Sequence, residues 1–183
     1  MFTFLGSLDK YLIKYKDKIS EEELLEAATS LAKALWYLGE QHLVHTNFRL
    51  SNVLVASHEE GSSLKVKLGD PGLPDYSAPN EVHWLSFELL LDSCPTPSKC
   101  TMKGDVWAFA TTLWELFSYG ETPPLEHVFA KEQYLNGHRL AMPSSLQGQL
   151  SSIYRVMQGC WNPFPDARNA PQYILRLVKN KIL

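Results

Sequence analysis

Residues 20–40 read SEEELLEAATSLAKALWYLGE, and no other stretch constrains the fold as tightly. Ser20 followed by Glu23 has the spacing of a capping box, in which serine and glutamate each satisfy the other's backbone N–H. Leu24, Leu25, Ala28, Leu31, Ala32, Leu35 and Leu38 then recur at helical spacing, and Gly39 marks the end. A helix with so long an apolar stripe must lie against a core. The next stretch is not helical. HTNFRLSN, residues 45–52, is a polar loop, and Val53-Leu54-Val55 and Val66-Lys67-Leu68 read as two short strands joined by a Glu-Gly-Ser turn over 59–63. Side chains on a loop held between rigid elements commonly carry function.

The remaining chain is largely helical. GSLDKYLIKY predicts a short helix capped by Ser7. A proline-rich stretch, 71–79, has no periodicity. Helical patterns then run over 104–119, 125–135, 145–160 and 171–183, broken by Gly120, Pro123, Pro124, Gly137, Pro143, Pro163 and Pro165. With 183 residues, the expectation is one mainly α domain with a small β-hairpin.

Charge excludes some partners. A net charge of −3 and a pI near 6.1 argue against a nucleic-acid or anionic-membrane surface. The basic run KYLIKYKDK, 10–18, interleaves Tyr11, Leu12, Ile13 and Tyr15 at helical spacing and reads as a solvated helix face. The longest apolar candidate, 106–117, is interrupted by Thr111, Thr112 and Glu115, so no direct membrane insertion is expected. Three cysteines and no glycosylation sequon point to a reducing, intracellular setting. Cys94 and Cys100 lack zinc-knuckle spacing and a second pair.

Five motifs in order resemble the protein kinases. His45-Thr-Asn-Phe-Arg-Leu-Ser-Asn52 has the spacing of the catalytic loop H-R-D-L-x-x-x-N. Asp70-Pro-Gly72 lies where D-F-G belongs, and Trp84-Leu-Ser-Phe-Glu88 where tyrosine kinases carry W-x-A-P-E. Asp105-Val-Trp-Ala-Phe-Ala110 followed by LWELFSYGETP resembles their central helix. Cys160-Trp161 with Pro165 and Arg168 resembles their C-W…P-x-x-R ending. The resemblance implies a kinase-like C-terminal lobe over 1–183 with the N-terminal lobe absent. Its parts would be the hinge end and first helix at 1–19, the catalytic-loop region at 45–56, the activation segment at 70–88 and C-terminal helices at 103–183. Such a chain is expected to be part of a longer protein or to need a partner over an apolar face around Leu54, Leu68 and its first residues.

The resemblance also assigns roles. Asn47 occupies the catalytic-base position, and an amide cannot act as a base near neutral pH. Losing general-base help costs roughly 10²–10⁴ in rate. Thr46 replaces the loop arginine that reads phosphate on the activation segment. Asn52 and Asp70 match the magnesium positions, Leu54 the floor under adenine, and Ser7 lies near the ribose position, so a complete domain would bind ATP with magnesium. The plainer role for Asn52 and Asp70 is capping their own loops. His45 matches a structural histidine, Glu88 and Arg168 a buried ion pair, and Asp105 the aspartate that braces the catalytic loop.

D-P-G together with Asn47 is similar to the pseudokinase domain of Janus kinases, a likeness shared by LGDPGLP and EQYLNGHRLAMPSS. Thr46 and Phe48 stand where that family has Gly and Val, and Arg49 resembles other tyrosine kinases. The resemblance implies a cytoplasmic regulatory module, membrane-associated through a receptor, that controls an adjoining tyrosine kinase domain in a cytokine-receptor complex. Two other readings stay open: a degenerate or weakly active protein tyrosine kinase, and a nucleotide-free interaction scaffold.

Overall fold

The computed structural model describes residues 4–72, 74–76, 78–124 and 127–180. Residues 1–3 of the expected hinge end, 125–126 of the expected 125–135 helix and 181–183 of the last helix lie outside the described residues. Seven helices and one hairpin are described: α1 (Leu8–Tyr15), α2 (Glu21–Glu40), β1 (Val53–Glu59), β2 (Ser63–Leu68), α3 (Phe87–Leu91), α4 (Met102–Phe117), α5 (His127–Leu135), α6 (Ser151–Cys160) and α7 (Pro171–Lys179).

The capping box at the start of α2 is formed. Glu23 N–H donates to Ser20 Oγ at 3.2 Å, and Ser20 N–H donates to Glu23 Oε2 at 2.8 Å. Leu24, Leu25, Ala28, Leu31, Ala32 and Leu35 are buried against α4, α7 and β2, while Leu38 is only partly buried. Glu23 is itself buried. Its Oε1 meets His58 Nε2 at 3.0 Å, and His58 Nδ1 meets the Tyr11 hydroxyl at 3.0 Å. One polar chain therefore ties α1, α2 and β1 together.

Helix α4 is the axis. Every residue from Gly104 to Phe117 is buried, as expected for a helix wrapped on all sides by protein. Thr111, Thr112 and Glu115, which interrupt its apolar run, are all hydrogen-bonded to chain outside the helix. No described helix is long and apolar enough to cross a membrane.

The strands pair antiparallel, Val53 opposite Leu68 and Val55 opposite Val66, with a bulge between Val55 and Ser57. They run longer than the two apolar triplets suggest, because the alternating polar residues beyond them continue the ladder to Glu59 and Ser63. Residues 5–7 flank β1: Leu5 N–H donates to Val55 O at 2.9 Å, and Val55 N–H to Gly6 O at 3.0 Å. Ser7 does sit at the α1 N-cap, but its side chain makes no capping bond; its backbone bridges to Leu54 instead. Phe4 and Leu5 are exposed, and Leu54 and Leu68 half-buried. In the basic run, Lys16 pairs with Glu121 and Lys18 with Glu60, both at the surface.

Candidate functional site

The 45–52 loop is bolted to α4 by three polar residues. Asp105 Oδ2 accepts from His45 N–H at 2.5 Å and Oδ1 from Thr46 N–H at 2.9 Å. Thr112 Oγ1 donates to Phe48 O at 3.1 Å. Glu115 Oε2 accepts from Leu50 N–H at 3.1 Å and from Trp84 Nε1–H at 3.1 Å. Phe48 fills the space between, fully buried, with its ring edge-on to Phe109. Burial disfavours charge on both acids: Asp105 is raised to about 6, and Glu115 to about 8.

His45 lies under the loop. Its Nε2 donates to Gly69 O at 2.9 Å and its Nδ1 accepts from Asn47 N–H at 3.3 Å, an arrangement that needs the neutral ring. Burial lowers its pKa, which favours the same form. Thr46 has φ +67°, the left-handed region that a β-branched residue rarely enters.

The 70–88 segment packs against this loop. Asn47 Nδ2 donates to Pro71 O at 2.5 Å, and Asn52 Nδ2 donates to Asn47 O at 2.9 Å. Asp70 Oδ1 accepts from Gly72 N–H at 2.7 Å, closing a small turn. The Tyr76 hydroxyl donates to Thr46 O, and burial raises its pKa well above the ordinary tyrosine range. Arg49 grips Glu81 with both terminal nitrogens and stacks on Trp84, 4.6 Å from the ring centre. Between loop and segment remains a cavity of about 10 Å³, lined in part by Asn47, Tyr76, Glu81, Ser86 and Cys100. That is room for about one water, not for an aromatic side chain.

Below the segment, Arg168 donates to Glu88 through both terminal nitrogens, at 2.9 and 2.5 Å. The same guanidinium donates to Lys103 O and Asn162 O, each at 2.8 Å, and lies over the buried Trp107 ring.

Asn47, Asn52 and Asp70 are thus brought to one place by the hairpin, and Ser7 and Leu54 meet at its upper edge. The donor set is one carboxylate, Asp70, and one amide oxygen, that of Asn52. These suit a single magnesium whose other ligands come from phosphate and water, since magnesium binds through one or two carboxylates plus phosphates. Among the described residues there is no group of three or more His, Cys, Asp or Glu that could form a metal centre alone.

Sequence reasoning missed Glu81, Glu115 and the Arg49 clamp. Glu115 carries a readable signal, a lone acid in an apolar helix. Glu81 carries none, because no motif or periodic pattern marks it.

The sequence profile of the protein tyrosine and serine/threonine kinases matches residues 1–178. The chain belongs to that kinase family. It is 33% identical over 183 residues to the epidermal growth factor receptor of Apis mellifera, covering 92% of this chain and 13% of the receptor. It is 30% identical to the high affinity nerve growth factor receptor of Gallus gallus, covering 87% of this chain and 21% of that protein. It is 28% identical to the tyrosine-protein kinase hopscotch of Drosophila melanogaster, covering 97% of this chain and 16% of that one. The chain spans a quarter or less of the length of the relatives it matches.

Proposed function

We propose that this chain is the C-terminal lobe of a Janus-type regulatory pseudokinase domain, which controls an adjoining tyrosine kinase in cytokine-receptor signalling and binds ATP without efficient phosphotransfer. The observation that supports this reading is the Asn47 side chain. It supplies an N–H to the Pro71 carbonyl at the position where phosphotransfer needs a proton acceptor. The Tyr76 hydroxyl, which donates to Thr46 O, adds a second contact that keeps the segment on the loop.

In the nucleotide complex of the complete domain, Asp70 and the Asn52 amide oxygen would hold one magnesium, with Leu54 and Ser7 beside the nucleoside. Bound magnesium neutralises phosphate charge; this chain supplies the position but no base. The domain works in the cytoplasm, at the membrane only through a receptor, and takes no nucleic acid.

A second reading, a nucleotide-free scaffold, has its own support. Asp70 Oδ1 and Asn52 Nδ2 are already engaged within their loops. Thermal denaturation of the full-length protein with ATP, with and without magnesium, separates the two. A rise in Tm that needs both is expected of the regulatory pseudokinase; no rise leaves the scaffold. Phosphotransfer assays on the wild type and Asn47→Asp complete the test. Strong activity of the complete two-lobe domain freed of its adjoining kinase, in either form, would make the domain an enzyme or a decayed one and overturn the regulatory reading.

A further inference from the structure

Two asparagines on the catalytic loop form a relay that ends on the activation segment. Asn52 Nδ2 donates to Asn47 O, and Asn47 Nδ2 donates to Pro71 O. The Asn47 amide has one orientation here. Its Oδ1 is buried without a partner, and turning the amide over would set that oxygen against the Pro71 carbonyl.

The backbone receiving this bond is already stiff. Pro71 fixes its own φ and keeps Asp70 out of the helical region. Gly72, at φ +63°, turns the chain so that its N–H reaches Asp70 Oδ1. Gly69 fits against the loop only because it has no side chain: a Cβ there would lie 2.8 Å from Asn52 O. Gly69 N–H also donates to Asn52 O at 2.7 Å. The 69–72 backbone is therefore a preformed hook, and one donor is enough to hold it.

We infer that Asn47 is a positioning residue, a latch whose side-chain N–H fastens the Pro71 carbonyl and holds the activation segment closed on the catalytic loop. An ionised aspartate has no hydrogen to donate and would set a negative oxygen against the carbonyl. The side chain at position 47 can serve as base or as latch, but not as both. Restoring the acid opens the segment rather than simply reinstating a base. The latch stands on these contacts alone and does not depend on whether nucleotide binds.

Hydrogen–deuterium exchange at the Gly69, Asp70 and Gly72 amides of the full-length protein tests it, comparing wild type, Asn47→Ala and Asn47→Asp. Both variants should exchange faster than wild type near pH 7, Asn47→Asp by about tenfold or more, since it loses a bond and gains a repulsion. Acid should restore Asn47→Asp alone, because a protonated carboxyl regains an O–H donor. Its rate relative to wild type should fall towards one near pH 4, about the ordinary aspartate pKa, while that of Asn47→Ala stays flat. His45, Asp70, Arg49, Glu81, Tyr76 and Asp105 surround the position in both proteins, so the ratio cancels their titration. Unchanged exchange in both variants would overturn the latch, as would an Asn47→Asp ratio that does not respond to pH. If Asn47→Asp fails to fold, the Asn47→Ala comparison still decides. None of these outcomes bears on the phosphotransfer assay, so the latch and the proposed function can fail separately.

Discussion

Replacing Glu88 with Gln removes a charge while preserving shape. In the native protein the Arg168 side chain is fully enclosed, with 0% exposure, and four of its hydrogen bonds are made to Glu88, Lys103 O and Asn162 O. Gln can accept only at its oxygen, and its NH₂ group would face a guanidinium N–H. The variant therefore loses one charge-assisted bond and leaves a buried cation uncompensated. Breaking a fully buried pair in this way costs about 3–5 kcal/mol. The Glu88 side chain is 33% exposed, so water screens part of the loss, and about 2–3 kcal/mol is the expected figure. For a chain of this size that lowers Tm by roughly 4–12 °C. Urea denaturation followed by tryptophan fluorescence measures it directly. The pH dependence gives a second check. Burial alone would raise the Glu88 pKa, but the hydrogen bond and charge of Arg168 outweigh it, so the folded value lies below the ordinary 4.5. The pair's contribution is then complete above about pH 4.5 and lost as pH falls through the folded value. The gap between wild type and Glu88→Gln should close on acidification. A Glu88→Gln protein within about 0.5 kcal/mol of wild type at pH 7, or a gap indifferent to acid, would refute the argument.

Two further substitutions test the α4 side of the loop. Glu115 is raised to about 8 in the folded protein from an ordinary 4.5, so the folded state binds the proton more tightly and stability falls as pH rises through that window. Each pKa unit is worth about 1.4 kcal/mol, so Glu115→Gln should gain several kcal/mol relative to wild type between about pH 4.5 and pH 8, measured by urea denaturation across that range. Thr46→Gly should stabilise the protein by about 1 kcal/mol, because it relieves a left-handed β-branched residue at the cost of a looser unfolded chain. A Thr46→Gly protein less stable than wild type would mean the threonine side chain contributes more than its backbone strain costs.

The elements that repeat were legible and the contacts that do not repeat were not. The capping box and stripe of α2, the hairpin and the buried run of α4 follow from periodicities of 3.6 and 2, and those same elements place Asn47, Asn52 and Asp70 within reach of one another. The spacing of the 45–52 motif carried the family likeness. Ser7 shows the limit of local reasoning: it sits at a helix start, yet its backbone is drawn into a bridge with Leu54, and its hydroxyl makes no cap. The latch was illegible for another reason. Asn47 can be read from sequence as the absence of a carboxylate; that its N–H reaches Pro71 depends on how a proline-rich segment without periodicity folds back.

Why is the 45–52 loop anchored at so many points? The anchors answer through what they touch. Asp105, Thr112 and Glu115 bind backbone atoms of His45, Thr46, Phe48 and Leu50, and none of these bonds involves the Asn47 side chain. Glu115 also takes Trp84 Nε1–H, and Arg49 takes Glu81, so the loop in turn anchors the activation segment. The loop is a structural joint between α4 and the 70–88 segment, and these anchors are made by residues other than Asn47. The Asn47 amide adds one further contact between loop and segment, its Nδ2–H to the Pro71 carbonyl.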